Sequence, residues 1–404
     1  MQQQDNNTLA VIDIGTSKIV CLVGKKQKNS NKLEILGSGT VRSHGLKRGV
    51  VVNIDATVSS IKEAVRRASI SSNIEIKYVY AGVAGSHIRS FNSHGIVAIQ
   101  NKEVTEYDIN RVIDAARAIA IPANLHLLHI IPQQYIIDEQ DDIREPLGMS
   151  GVRLEAKVHM VAGSASAVQN ILKCVQKCGL KIIDVVLEQL GSSQCVLSSD
   201  EKDLGVCLVD IGGGTTDIAI FSGNSINHTI NIPIAGDQVN NDIAMALKIS
   251  TKKAEELKVE KGKALSSLID SSEHFTIKSV NEEEEYEVPL SLLTEIIEAR
   301  YEELFHIVKQ EISKHTNNRG LTAGVVITGG GSKIPGLSKL AQQVLDTTVR
   351  LGGPRNIIAS EKILNNPMYS TAVGLLLHGF LQDSEAKRKE PIFSRILNWI
   401  KDNF

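Results

Sequence analysis

The run Val206-Cys-Leu-Val-Asp210-Ile-Gly-Gly-Gly-Thr-Thr-Asp217-Ile-Ala-Ile-Phe221 constrains this chain more than any other stretch. Its two apolar arms, rich in Val and Ile, read as short buried strands, and the glycines between them as a tight turn. Lacking Cβ atoms, Gly212, Gly213 and Gly214 let the backbone approach a polyphosphate, with their N–H groups as donors. The hydroxyls of Thr215 and Thr216 are expected to donate to phosphate oxygens as well. Asp210 and Asp217 offer hard oxygen atoms, which suit hydrated Mg²⁺ better than a soft metal. A bare glycine hairpin carries no such chemistry; the flanking aspartates and paired threonines supply it.

The same grammar occurs near the N-terminus in Val11-Ile-Asp-Ile-Gly-Thr-Ser-Lys-Ile-Val20, where Asp13, Gly15, Thr16 and Ser17 form an Asp-x-Gly-Thr core. Two such hairpins in one chain imply two related domains facing each other, with nucleotide phosphates between them. Asp13 and Asp210 are then the magnesium-side carboxylates, acting through water. A third glycine cluster, Gly329-Gly330-Gly331-Ser332, follows the strand-like Gly324-Val-Val-Ile-Thr328. It precedes a helical pattern of Leu337, Leu340, Ala341, Val344 and Leu345. Strand, glycine turn and helix start suit a ribose or base laid over the turn.

With these three motifs the chain resembles the actin-like ATPase superfamily, whose members include actin, MreB, sugar kinases and a heat-shock chaperone ATPase. The resemblance implies an α/β fold of two ribonuclease H-like lobes, binding ATP and Mg. In that family Val186–Val196 matches the first connecting helix and Tyr369–Gly379 the second. Lys18 and Gly236 match positions beside the phosphates. Glu255 and Lys258, spaced i,i+3, match a pair that contacts ribose and adenine. Glu188 and Gln189, on the first connecting segment, are the candidates to orient a hydrolytic water.

A chain of 404 residues is too long for one simple core, so two lobes are expected. Aromatic residues make up only 4%, which leaves Leu, Ile, Val and Ala to build the interior. The net charge of −2 argues against a nucleic-acid scaffold. Five cysteines without a C-x-x-C pair read as reduced, packed thiols of a cytosolic protein. The polar N-terminus lacks a signal-peptide core, and no apolar run approaches the ~20 residues needed to cross a bilayer.

More chain separates the first two hairpins than one lobe needs. Residues 53–69 read as a helix, with Ile54, Val58, Ile61 and Val65 on one face. Thr105 and Asp108 read as a helix cap. Val152-Arg-Leu-Glu-Ala-Lys-Val-His-Met160 alternates apolar and polar residues like a half-buried strand. An α+β subdomain inserted over residues 85–162 follows. The segments Leu128–Asp138, Pro146–Arg153 and Asn231–Asp237 resemble the FtsA family of cell-division proteins. The pilus protein PilM shares the insert and is the alternative. The expected organisation places the first lobe at 1–84 and 163–200. The second lobe takes 201–245 and 319–381, with a subdomain at 246–318.

The last stretch reads as a polar linker, residues 382–390, followed by an amphipathic helix over 391–404. At 100° per residue, Ile392, Phe393, Ile396, Leu397, Trp399, Ile400 and Phe404 share an arc of roughly 160°. That is too short to span a membrane but suits its interface. Seven side chains at ~1.5 kcal/mol each give a gross ~10 kcal/mol. Lys387, Arg388 and Lys389 add attraction to anionic lipid.

The resemblance implies an ATP-binding, actin-like polymer on the cytoplasmic face of the bacterial inner membrane. Its expected role is to tether FtsZ filaments at the division septum, with further divisome partners and slow ATP turnover. Arg300 and Glu303, in the segment Glu298–Glu303, match the family's docking surface for the FtsZ C-terminal peptide. A sugar or carboxylate kinase would need a catalytic aspartate and substrate cleft that the sequence does not display. A chaperone would need a large C-terminal peptide-binding domain.

Overall fold

Alternation of apolar residues along the strands fixes how the layers stack. The computed structural model describes residues 2–4, 7–27, 32–270, 272–278, 285–316 and 321–386. The first lobe opens with β1 (Thr8–Ile14), β2 (Lys18–Lys26), β3 (Leu33–Arg42), α1 (Ile54–Ser72) and β4 (Tyr78–Val83). The insert comprises β5 (Ile88–Ala98), α2 (Glu106–Arg117), β6 (Leu125–Ile137), β7 (Gln140–Ile143) and β8 (Arg153–Ser164). The chain returns to the first lobe through α3 (Ala165–Lys177), β9 (Lys181–Leu187) and α4 (Glu188–Val196).

The second lobe follows with β10 (Val206–Ile211), β11 (Thr216–Ser222), β12 (Ser225–Ile232) and α5 (Gly236–Ala246). Its subdomain holds α6 (Thr251–Lys261), the ribbon β13 (His274–Lys278) and β14 (Glu285–Pro289), and the long α7 (Leu290–His315). Then β15 (Val325–Thr328), α8 (Leu337–Leu345) and β16 (Val349–Leu351) complete the lobe, and α9 (Ser370–Ala386) crosses back to the first.

The first sheet runs β9-β4-β1-β2-β3 and ends on the short strand Ile357–Ile358; the second runs β12-β11-β10-β15-β16. Along β1, Ala10, Ile12 and Ile14 pack with α1 and α3, whereas Leu9 and Val11 face α9. In β10, Val209 and Ile211 face the second lobe's own helices, while Val206 and Leu208 join the α9 side. Both sheets are thus covered on two faces, which explains their continuous apolar strands. Between the lobes, α4 crosses α9 where both are glycine: a Cβ on Gly374 would lie 1.9 Å from the Gly191 carbonyl oxygen. Only bare backbone fits there.

The insert is a four-stranded sheet, β7-β6-β8-β5, carrying α2 on one face. Its helix starts at the expected cap: Thr105 Oγ1 accepts from Asp108 N, and the Asp108 carboxylate accepts from Thr105 N at 3.1 Å. The half-buried strand expected from alternation is β8; Arg153 and Lys157 on its polar face are exposed, but the far end of that face is covered. His159 is fully buried, 2.7 Å from Asn92 Oδ1 and 3.0 Å from Thr229 Oγ1. The edge strand β12 of the second lobe lies against that face; Gln133 Nε2 donates to the Ile226 carbonyl and Ser90 Oγ to the Thr229 carbonyl. Periodicity reports which residues share a face, not what a distant strand lays over it.

Two expected boundaries move. Helix α1 runs on to Ser72, capped by Asn53 at its start and by Asn73 in the left-handed conformation at its end. Helix α9 continues to Ala386, into the stretch read as linker over 382–390. Polarity alone does not end a helix; no glycine or proline occurs in Gln382-Asp-Ser-Glu-Ala386 to break it. Lys387–Lys389 and the amphipathic residues Ile392, Phe393, Ile396, Leu397, Trp399, Ile400 and Phe404 lie outside the described residues. Among the described residues no helix is long and apolar enough to cross a membrane.

Candidate nucleotide cleft

The three glycine motifs meet at the carboxyl ends of parallel strands. β1 delivers Asp13, β10 delivers Asp210, β9 ends immediately before Glu188, and β15 ends immediately before Gly329. Open α/β sheets place their ligand crevices there. The first hairpin touches the second lobe, where Ser17 Oγ donates to Asp237 Oδ1 at the start of α5 at 3.3 Å, and the two hairpins approach each other at Gly213 and Gly214. A Cβ built on Gly213 would fall 1.6 Å from Ser17 Oγ. Any side chain at position 213 would force the lobes apart. A cavity of about 680 Å³ opens beside this contact, walled by Ser17, Lys18, Arg42 and Glu255 among others.

Four carboxyl groups crowd the floor. Asp210 and Asp217 are direct cross-strand partners in the second hairpin, an arrangement that costs stability unless one is protonated or a cation intervenes. Burial pushes Asp217 up to about 7, opposed by a hydrogen bond from Asn231 and reinforced by the charge of Asp210. Asp210 is pushed up to about 6 by burial, with Lys18 acting against it and Asp13 with it. Asp13 is raised by burial, again countered by Lys18. Glu188 is raised well above the ordinary range by burial and then by Asp13, Asp217 and Asp210. Lys18 is the cation that recurs against Asp13, Asp210 and Glu188.

A floor so short of positive charge fits a hydrated divalent cation. Among the described residues no group of three His, Cys, Asp or Glu side chains could hold a metal directly. Asp13 and Asp210 therefore fit a Mg²⁺ ligated mainly by water and phosphate, the usual preference of that ion.

The threonines depart from expectation. Thr216 Oγ1 donates to the Ile234 carbonyl at 2.7 Å, and Thr215 Oγ1 to Asp217 Oδ2 at 3.1 Å. Both are buried, with their protons spent inside the protein. Gly212 N is also occupied, by the Thr215 carbonyl. The donors left for phosphate are the Gly213 and Gly214 amides, which have no protein acceptor among the described residues, and those of Thr16 and Ser17. Gly236 and Asp237 lean on the hairpin through their amides, to the Gly212 and Gly213 carbonyls.

Glu255 and Lys258 both reach the cleft but do not pair as neighbours on α6. Lys258 Nζ donates to the Gly236 carbonyl at 2.9 Å, and burial lowers its pKa. Glu255 takes Arg42 at 2.9 Å, a bridge from one lobe to the other. The third glycine motif is a single 3₁₀ turn, Gly330–Lys333, with Gly329 at φ 87° against Asp210. Ser332 Oγ donates to the Gly329 carbonyl, and Tyr301 of α7 donates to that of Gly331. Gln189 points at Asp217, donating through Nε2 at 3.0 Å and leaving its buried Oε1 without a partner.

Several residues here escape sequence reasoning. Asn231 donates to Asp217 Oδ1 at 2.7 Å, Thr371 to Asp210 Oδ2 at 3.2 Å, and Arg42 clasps Glu255. None belongs to a glycine motif: Asn231 faces Asp217 from the neighbouring strand β12, and Thr371 and Arg42 come from distant parts of the chain. Arg300 and Glu303 sit elsewhere, on α7. Arg300 makes a bidentate pair with Asp242, at 2.6 and 3.0 Å, and also holds Glu303. Its guanidinium is committed to joining α7 to α5, so Glu303 is the more available of the two for a partner.

Comparison with known proteins agrees with this geometry. The family model for cell division protein FtsA matches residues 207–374, and that for the SHS2 domain inserted in FtsA matches 85–162. The Pseudomonas aeruginosa cell division protein FtsA is 48% identical over 414 aligned positions, covering 99% of both chains. The Escherichia coli protein of the same name is 38% identical, covering 98% of this chain and 96% of its own.

This chain belongs to the FtsA family.

It is an actin-like cell-division protein, and the match to the SHS2 domain inserted in FtsA spans β5 to β8. Among solved structures, a PilM–PilN type IV pilus complex shares the fold at 16% identity, with a TM-score of 0.66 and coverage of 92% and 98%. Spiroplasma citri MreB5 bound to AMPPNP shares it at 13% identity, with a TM-score of 0.58 and coverage of 95% and 99%. These likenesses carry the fold alone. Full-length identity favours FtsA over the pilus adaptor. Nucleotide binding goes with the actin-like ATPase fold.

Proposed function

We propose that this FtsA-family chain binds ATP with magnesium between its lobes, assembles into an actin-like polymer and tethers FtsZ filaments to the cytoplasmic face of the inner membrane at the septum. The observation that carries the nucleotide reading is the contact of the two hairpins across the lobes over a buried, carboxylate-rich floor. Backbone amides of Thr16, Ser17, Gly213 and Gly214 hold the phosphates, and Lys18 faces the same charge. Glu255 and Lys258 border the ribose and base beside the Gly329–Ser332 turn. Asp13 and Asp210 would hold a bound magnesium through water, and the ion would supply the positive charge this floor lacks. In this reading Glu188, with Gln189 beside it, orients a water, and turnover is slow.

Self-association and divisome partners fit an actin-like member of this family. The subdomain over 246–318 is the proposed seat of the FtsZ C-terminal peptide, with Glu303 as its exposed carboxylate. Anionic lipid is the proposed partner of the terminal amphipathic segment, through Ile392, Phe393, Ile396, Leu397, Trp399, Ile400 and Phe404. Co-sedimentation with phosphatidylglycerol-containing liposomes tests the tether. The full chain with Mg-ATP is expected to pellet and to bring an FtsZ C-terminal peptide with it; deleting 387–404 is expected to leave it in the supernatant. Persistent pelleting of the truncated chain would defeat the role of the tail.

A further inference from the structure

A second cavity, about 420 Å³ in volume, adjoins the phosphate hairpins and shares Ser17, Arg42 and Glu255 with the nucleotide cleft. The wall between the two spaces is thus made of two cross-lobe contacts, Ser17 with Asp237 and Arg42 with Glu255. Its lining also includes Thr16, Ser43, Lys47, Arg48, Gly214 and Asn240. The ribbon Leu46–Lys47/Val50–Val51 carries Lys47 and Arg48 to its rim, both exposed. The tip is locked in place because Gly49 N donates to Thr16 Oγ1 at 2.9 Å. That bond makes the Thr16 hydroxyl an acceptor and leaves its proton free to donate elsewhere.

Two buried polar side chains lining the space lack partners among the described residues. Ser43 is 8% exposed and Asn240 6%, and neither Ser43 Oγ nor Asn240 Oδ1 has a hydrogen bond. Unpaired buried polar atoms are costly and call for a ligand or water. The two carboxylates on the wall are already engaged, Asp237 by Ser17 and Glu255 by Arg42. What remains unspent is chiefly a set of donors, the hydroxyls of Thr16 and Ser43 and the cations Lys47 and Arg48, with Asn240 Oδ1 as an acceptor for the P–OH of a hydrogenphosphate. That set suits a small oxyanion.

We propose that this cavity binds orthophosphate beside the position of the nucleotide's own phosphates, sharing the Thr16, Ser17 and Gly214 turns with it but reaching out to Lys47 and Arg48, and so receives the phosphate released when the nucleotide is cleaved. The inference rests on the nucleotide reading above but is tested apart from it. The full chain is saturated with magnesium and a non-hydrolysable ATP analogue, which fills the terminal-phosphate position, and then dialysed against radiolabelled orthophosphate. Phosphate is expected to bind still. Arg48→Ala is expected to weaken it about tenfold, the loss of one charge-assisted hydrogen bond, with affinity for the analogue unchanged. Arg48 is exposed at the ribbon tip, so the variant is expected to keep its fold, and Arg48→Lys is expected to recover part of the binding. Phosphate that fails to bind, that the analogue displaces, or that Arg48→Ala leaves untouched would overturn the proposal. Failure of the analogue itself to bind would strike the nucleotide reading instead, and Arg48-dependence of phosphate binding to the nucleotide-free chain would then decide the inference.

Discussion

At the scale of single residues, Asp217 shows how the site is strained for its ligand. Gln189, Asn231 and Thr215 all donate to it, yet burial and Asp210 still push it up to about 7. Between its ordinary value of 3.8 and about 7, the folded chain therefore holds a proton that the unfolded chain has released. Stability contributed by this group is present below that window and declines as pH rises through it. A shift of this size is at most on the order of 4 kcal/mol. Thermal melts of the nucleotide-free chain are expected to show a falling midpoint from pH 5 to pH 7, and Asp217→Asn to flatten that fall. A variant as pH-sensitive as the parent would place the cause elsewhere. The aspartates could be read from sequence because each sits at a fixed offset from a glycine turn. Asn231, Thr371 and Arg42 could not, since they reach the site from strand and helix positions that no local spacing marks. The threonines misled for a related reason: Thr216 is polar and adjacent to the motif, but a strand position turned its hydroxyl inward to the Ile234 carbonyl.

At the scale of elements, the strands and helices followed their periodicity closely, and errors arose where one element met another. β8 alternates as a half-buried strand does, yet β12 of the other lobe covers His159 on its polar side. α9 outlasts its apolar stretch because nothing in Gln382–Ala386 stops a helix. Arg300 on α7 is expected, from the resemblance, at a docking surface; Asp242 on α5 claims it through two hydrogen bonds. Arg300→Ala is expected to destabilise the chain by about 1–2 kcal/mol, the range for hydrogen bonds to a charged group reduced by partial exposure. Lysine should not restore the loss, because it cannot pair at two points. Glu303→Ala, by contrast, is expected to change stability by less than about 0.5 kcal/mol while weakening capture of an FtsZ C-terminal peptide. Urea denaturation alongside peptide binding separates the two roles. Equal stability loss in both variants would contradict the division drawn between them.

At the scale of the whole molecule, two sheets covered on both faces are held together along α4 and α9, which cross at Gly191 and Gly374. Every strand that feeds the site ends on the same side of its sheet, so motifs far apart in the chain converge on one cleft. That convergence was legible in the sequence, because a repeated Asp-Gly hairpin implies a repeated lobe and a crevice between the copies. The cross-lobe clasps were not, because Arg42 with Glu255 and Ser17 with Asp237 are products of how closely the lobes approach. The central claim is that the paired hairpins grip one nucleotide between them. Isothermal titration of ATP with magnesium into the parent chain and Gly213→Ala tests it most directly. The substitution places a Cβ 1.6 Å from Ser17 Oγ while leaving both lobe cores intact. One site per chain is predicted in the parent, with at least a roughly tenfold loss in the variant for about 1.4 kcal/mol of lost contact; a parent that binds no nucleotide, or a variant that binds it equally well, would contradict the account.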